Sequence, residues 1–351
     1  MKILAAVRHP GPAEAVVPVI KQLRLQGHEV TLLGLNNNSI ETKALGGSVS
    51  IFSRNNIEHF DMVDMDANFD LAEVDSKWTN SLIDKYKPDR ILVGCSTQEE
   101  LIRCIENSLI IAGTDYSIPT LQLVEMWGCW TSRPEMFYPD RFAVADEFTR
   151  KVILKRGAPK ESVKITGNPS FDSFYSCNLN QSGIKNSRSS DTRNFVYIGQ
   201  TSSDNFTTFD WVLKSLGTND RVAFAKHPRD LRSYERLISQ AGDKLLVTNL
   251  GNDDLLKQAD ICITHTSTMG VKSSLLGIPT INFIVDHNQD DVIQICGGYP
   301  LVLAGGSYKA DSLDTFRNLL KQDLVVNQPK LRSVLNIDGM SVDRVVDFLL
   351  S

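Results

Sequence analysis

Apolar residues in this chain come in short unbroken runs separated by amphipathic stretches. In the first half the runs at 3–7, 29–33, 90–94, 119–124, 141–145 and 163–166 predict β-strands. Runs that are apolar on both faces suit a parallel sheet covered on both sides. Between them, 14–26 predicts an amphipathic helix with Val16, Val17, Val19, Ile20 and Leu23 on its apolar side and Gly27 as its stop. Further helices are expected at 78–86, 99–112 and 148–156. Residues 176–194 break the rhythm, being rich in Ser, Asn, Arg and Lys, and predict a linker or mobile loop. The alternation then restarts. Strands are expected at 195–198, 222–226, 245–248, 261–264, 280–284 and 301–303, and helices at 206–216, 231–240, 254–258, 269–276 and 341–350. The predicted class is α/β: two Rossmann-like α/β/α domains with parallel sheets, facing across a cleft. The expected divisions are 1–175, a linker at 176–193, a second domain at 194–335, and a terminal segment, 336–351, that packs back on the first domain.

In open parallel sheets, ligands bind outside the carboxyl ends of the strands. The loops that follow strands are therefore the places to look. The richest is His265-Thr266-Ser267-Thr268, where a buried strand turns into a helix. Hydroxyls, free N–H groups and the positive end of a helix dipole meet there, which suits a phosphate; ordinary capping by Ser267 or Thr268 is the alternative. Gly199-Gln200-Thr201 follows the first strand of the second half and can wrap a diphosphate with backbone N–H groups. Lys226-His227-Pro228-Arg229 gathers two cations and an imidazole at the next strand end, able to neutralise phosphate charge or to form a solvated turn. Asn249 lies in a turn that could meet a base edge.

In the first half, Arg8-His9-Pro10-Gly11-Pro12-Ala13-Glu14 follows the opening strand. Glu14 is expected in the first helical turn, as a dipole partner or as a general base. Glu125, Trp127, Trp130 and Arg133 form a polar-aromatic loop. There Glu125 is a second candidate base, while Trp127 and Arg133 are candidates for binding a sugar-like acceptor; a loop anchored by core aromatics is the alternative.

Composition narrows the classes. A chain of 351 residues exceeds one ordinary core, and a net charge of −5 offers no global attraction for nucleic acid or an acidic membrane surface. No apolar run reaches membrane-span length and no signal pattern opens the chain, so a cytoplasmic protein is expected. The six cysteines are scattered without zinc spacing, so no metal and no cofactor is expected. P-loop, GxGxxG and GxSxG motifs are absent. Asp64 and Asp66 have the spacing of a metal-binding pair but lie in an acidic, loop-like run.

Together these segments resemble the GT-B superfamily, the glycosyltransferases with two Rossmann domains and the non-hydrolysing UDP-N-acetylglucosamine 2-epimerases. Pro12-Ala13-Glu14-Ala15 is similar to the epimerase-type opening. Thr166-Gly167-Asn168-Pro169 resembles a segment of surface-polysaccharide transferases and epimerases. Thr266-Ser267-Thr268 with Leu276-Gly277-Ile278-Pro279 resembles the donor-phosphate helix, and Lys226-His227-Pro228 resembles the HP motif of CMP-sugar transferases. Ser267-Thr268-Met269-Gly270 and Lys272 depart from the epimerase pattern, and the paired glutamates of retaining transferases are absent.

The resemblance implies a metal-independent, inverting glycosyltransferase in surface-polysaccharide or glycoconjugate synthesis. Its partners would be a nucleotide sugar and a carbohydrate or lipid-linked acceptor, and a homodimer is allowed. Gly199, Gln200, Thr201, Lys226, His227, Asn249, Thr266, Ser267 and Thr268 would bind the donor, with Glu14, Glu125 and His227 catalytic. The alternatives are a nucleotide-sugar 2-epimerase or hydrolase of the same fold, and a non-catalytic nucleotide-sugar-binding relic.

Overall fold

A computed structural model describes residues 1–36, 47–62, 76–95, 104–175, 192–227, 230–246, 252–285 and 291–351. Asp64, Asp66, Asn249, Pro228, Arg229 and most of the expected linker lie outside the described residues. The chain divides into two units, Met1–Ser176 with Leu335–Ser351, and Cys177–Val334.

The first unit holds β1 (Lys2–Val7), β2 (Glu29–Gly34), β3 (Phe60–Asp61), β4 (Arg90–Val93), β5 (Thr120–Val124), β6 (Arg141–Val144) and β7 (Val163–Ile165). All pairs are parallel, in the order β3-β2-β1-β4-β5-β6-β7. The second unit holds β8 (Asn194–Ile198), β9 (Arg221–Ala225), β10 (Leu245–Leu246), β11 (Ile261–Thr264), β12 (Thr280–Phe283) and β13 (Ser307–Ala310), parallel in the order β10-β9-β8-β11-β12-β13. In each sheet the order reverses beside the first strand of the unit. A crevice therefore opens at the carboxyl ends of β1 and β4, and another at those of β8 and β11.

Two expectations are corrected. Residues 301–303 are not a strand: Pro300–Leu303 is a short helix with Pro300 in its first turn, and the last strand is β13, Ser307–Ala310. Pro at a helix start removes an N–H that would be orphaned anyway, and a four-residue apolar run carries no period to tell helix from strand. The first helix is Pro10–Leu25, so Glu14 falls in its second turn.

The terminal helix Ser341–Leu350 belongs to the first unit. It buries Val345, Val346 and Leu349 against the core that includes Val16, Val19 and Leu121. Each such side chain contributes about 1.5–3 kcal/mol. Polar contacts fix the angle of entry: Arg344 Nε donates to the Thr166 carbonyl at 2.8 Å, and the Val342 N–H donates to Asp172 Oδ2 at 2.9 Å. Gly167 makes this docking close. Its φ is +89°, and a Cβ there would lie 2.2 Å from Ser341 Oγ and 3.1 Å from the Asn336 carbonyl oxygen.

Gly167→Ala is therefore expected to lose about 1–3 kcal/mol, from backbone strain and the clash together. Gly27→Ala is the control, because Gly27 has φ +83° with nothing within 4 Å of the added carbon. Thermal unfolding of both variants checks this; an equal drop in midpoint would show that the docking contact adds nothing.

Candidate functional site

In the second unit, three loops emerge side by side from β9, β8 and β11. Ile198 pairs with Ala225 on one side and Thr264 on the other. Gly199 continues β8, its N–H donating to the Ala225 carbonyl at 2.9 Å. A Cβ on Gly199 would lie 3.1 Å from Phe224 and 3.2 Å from Asn205 Nδ2, so glycine lets the loop turn close to its neighbours. The loops are tied together by Gln200. Its Oε1 accepts the Thr266 N–H at 2.9 Å and the Thr266 hydroxyl at 3.0 Å. Thr266 and Gln200 thus hold each other. Ser267 caps the helix Thr268–Leu275, accepting the Met269 N–H at 3.2 Å. Thr201 and Thr268 are exposed. Lys226 is exposed, donates to the Arg232 carbonyl at 2.7 Å and lies over the Tyr234 ring. His227 is half-buried, and its carbonyl accepts the Asp230 N–H at 2.9 Å.

Beneath these loops lies a polar network that the sequence did not announce. Asn205 Oδ1 accepts the Gln200 N–H at 3.0 Å and the Tyr197 hydroxyl at 2.9 Å. Its Nδ2 reaches the Tyr234 hydroxyl at 2.6 Å, and Tyr234 donates to Asp230 Oδ2 at 2.6 Å. Asp230 pairs with Arg232 at 2.7 Å. Burial pushes the Asp230 carboxyl up, but hydrogen bonds from Arg232 and Tyr234 outweigh it and hold the group well below the usual carboxylate range. His265 is 6% exposed and shares a hydrogen bond with Thr208 Oγ1 at 2.9 Å. Burial, aided by the Arg232 charge and opposed by Asp204, pushes its imidazole down to about 4, so at neutral pH it is an uncharged part of the framework.

In the first unit the helix Pro10–Leu25 starts directly after β1. Of its first three residues, Pro10, Gly11 and Pro12, only Gly11 carries an N–H. Glu125 is the first residue after β5 and approaches this turn: a Cβ on Gly11 would lie 3.7 Å from Glu125 Oε1. Glu125 is 5% exposed. Its Oε1 accepts the Cys129 thiol at 3.5 Å, while its buried Oε2 has no hydrogen-bond partner among the described residues. Burial pushes the carboxyl up to about 7, against the smaller pull of its own N–H and of Cys129. Asn168 steadies the backbone here, donating from Nδ2 to the Glu125 carbonyl at 2.9 Å.

The other first-unit candidates have different surroundings. Glu14 pairs with Arg54 at the surface. Trp127 is half-buried and donates to Asp146 Oδ2 at 2.8 Å. Trp130 is fully buried, edge-on to Tyr138 and Phe142, and anchors the loop from within the core. Arg133 lies over Trp130 and donates to Asn107 Oδ1 at 2.6 Å. At the β1/β4 crevice, Glu106 accepts both the Arg8 N–H and its Nε at 3.0 Å, a buried pair that fixes the first residue after β1. Among the described residues no cluster of His, Cys, Asp and Glu could hold a metal ion, and no helix is long and apolar enough to cross a membrane.

No family model and no curated protein matches the sequence. Solved structures match over its whole length. UDP-GlcNAc 2-epimerase from Neisseria meningitidis, bound to UDP-GlcNAc, is 15% identical, covers 100% of each chain and superposes with a TM-score of 0.64. UDP-GlcNAc 2-epimerase from Methanocaldococcus jannaschii is 13% identical over 100% of this chain and 99% of that one, with a TM-score of 0.67. MurG from Acinetobacter baumannii is 12% identical over 99% of each chain, with a TM-score of 0.59. The chain has the GT-B fold, two parallel-sheet α/β units, as expected from the sequence.

The neutral His265 carries a pH signature. Its folded value of about 4 lies below its ordinary 6.5, so the unfolded chain binds a proton that the folded chain refuses. The stability it contributes is fully present above about pH 6.5 and is lost as pH falls toward about 4, on the order of 3 kcal/mol in all. Denaturant unfolding across that range is expected to slope less steeply in His265→Gln than in the wild type. Equal slopes would place the proton elsewhere.

Proposed function

We propose that this protein is a nucleotide-sugar enzyme, a glycosyltransferase that moves a sugar from a nucleotide donor to a carbohydrate or lipid-linked acceptor. The observation that carries the reading is the Glu125 carboxyl. It is buried at a strand's carboxyl end beside a helix start, has one oxygen without a hydrogen-bond partner among the described residues, and is raised to about 7. A base poised near neutrality takes a hydroxyl proton more effectively than an ordinary surface carboxylate. Glu14, paired with Arg54, is the weaker candidate.

In this reading the second unit binds the nucleotide diphosphate. Loop N–H groups after Gly199, the start of the helix Thr268–Leu275 and the Lys226 ammonium stabilise the departing charge, so the reaction calls for no metal or cofactor. Glu125 of the first unit accepts the acceptor's proton as the new glycosidic bond forms and the bond to the nucleotide breaks. Attack opposite the leaving group gives inversion. Trp127 and Arg133 lie in the loop that follows Glu125 and are assigned to the acceptor.

The full-length likeness to 2-epimerases favours a second reading, in which the same carboxyl works on the proton at the sugar C2. Solvent deuterium appearing at C2 without any acceptor would select it.

A thermal-shift panel of CMP, CDP, UDP, GDP, dTDP and ADP is expected to single out one nucleotide, with about 2.7 kcal/mol of stabilisation at a hundredfold excess over its dissociation constant. Glu125→Gln is expected to keep that shift and lose turnover by about 10²-fold or more, while Glu14→Gln keeps most of it. In the wild type kcat/KM should rise with pH through about 7 as the base loses its proton. No shift with any nucleotide, or full turnover in Glu125→Gln, would overturn the respective half of the proposal.

A further inference from the structure

The loop after β8 is held by one guanidinium. Arg232 Nη1 donates to the Ser202 carbonyl at 2.6 Å and the Ser203 carbonyl at 3.2 Å. Nη2 donates to the Gln200 carbonyl at 3.1 Å and to Asp230 Oδ2 at 2.9 Å. Nε donates to Asp230 Oδ1 at 2.7 Å. An arginine has five such hydrogens, and each has an acceptor here. The charge is matched by a carboxylate that is itself 2% exposed and further held by the Arg232 N–H and the Tyr234 hydroxyl.

Peptide geometry carries this one step further. In a trans peptide the N–H of each residue runs antiparallel to the carbonyl of the residue before it. Three carbonyls turned toward one guanidinium therefore turn the N–H groups of Thr201, Ser203 and Asp204 the other way. None of these three donates a hydrogen bond within the described residues. The Gln200 N–H, by contrast, is taken inward by Asn205 Oδ1 at 3.0 Å. Successive outward N–H groups are anion donors.

We propose that Arg232 is a positioning residue for an anion-binding loop: it draws in the carbonyls of Gln200, Ser202 and Ser203, presents the N–H groups of Thr201, Ser203 and Asp204 to a diphosphate, and does not touch the anion itself. The proposal rests on the reading that this loop holds the nucleotide's diphosphate. It separates Arg232 from Lys226, an exposed cation that can reach a ligand.

Asp230→Asn separates positioning from direct contact by the sign of its effect. If Arg232 bound the anion directly, neutralising its carboxylate partner would tighten binding. If Arg232 positions the loop, losing the bidentate anchor loosens the clamp and weakens binding. Calorimetric titration of the full chain with inorganic pyrophosphate and with UDP is expected to give about tenfold or more weaker binding in Asp230→Asn and in Arg232→Lys, since an ammonium cannot span three carbonyls and a carboxylate. In the wild type the amide resonances of residues 201, 203 and 204 should move on adding pyrophosphate, and in Arg232→Lys they should move less. Circular dichroism confirms that the variants fold. Tighter binding in Asp230→Asn, or unchanged binding in Arg232→Lys, overturns the positioning role alone. A wild-type protein that binds neither probe overturns the nucleotide reading, and the proposal with it.

Discussion

Parallel pairing on every strand is the constraint from which the rest of this molecule follows. Strands buried on both faces leave no room for charge along their buried length, as β5, β11 and β12 illustrate; the polar residues they hold are uncharged, and Gln122 and Asn282 donate to the Gly94 and His265 carbonyls. Polar chemistry is pushed to the strand ends. The order reversal beside β1 and beside β8 then sends successive helices to opposite faces, and loops at the carboxyl ends part there. Glu125, Gly199 and His265 all lie within one residue of a strand's last position.

Two buried carboxyls, one in each unit, are handled in opposite ways. Asp230 is surrounded by donors, from Arg232, Tyr234 and Asn205, so its charge is held firmly and serves as a fixed anchor. Glu125 has a weak thiol donor and an oxygen without a partner among the described residues, so burial dominates and its proton is loosely poised. A fully satisfied group resists change in protonation; an incompletely satisfied one is available for it. The same distinction separates His265, locked neutral in a network, from a histidine that could exchange protons near neutrality.

Much of the fold was legible in the sequence because short, mostly apolar strands alternating with amphipathic helices leave little choice of class. The misreading at Leu301–Leu303 came from a run too short to show a period, where Pro300 was the better signal. Helices Val49–Arg54, Leu313–Leu319 and Gln328–Val334 and the two-residue strand β3 passed unassigned, being too short or too polar to stand out. In the candidate site, the loops could be found by their position after strands, but the role of each residue could not. Glu14 and Glu125 look equivalent as letters. Only packing distinguishes a surface partner of Arg54 from a buried acid.

Arg232 is the sharper case. As sequence it is one cation among several, five residues beyond His227 and in no motif. Its importance comes from where three carbonyls point, which depends on the turn of a loop some thirty residues earlier. Thr266 and Ser267 make the converse point. Hydroxyls at a helix start suggest ligand contact, yet these two are engaged in tying loops and capping a helix. Thr266 and Ser267, which appear suited to an anion, here build the frame, and in the loop after Gly199 the proposed donors are backbone N–H groups. Any residue can supply those, so a site made from them leaves only a faint trace in the sequence, chiefly the glycine that lets the loop begin its turn.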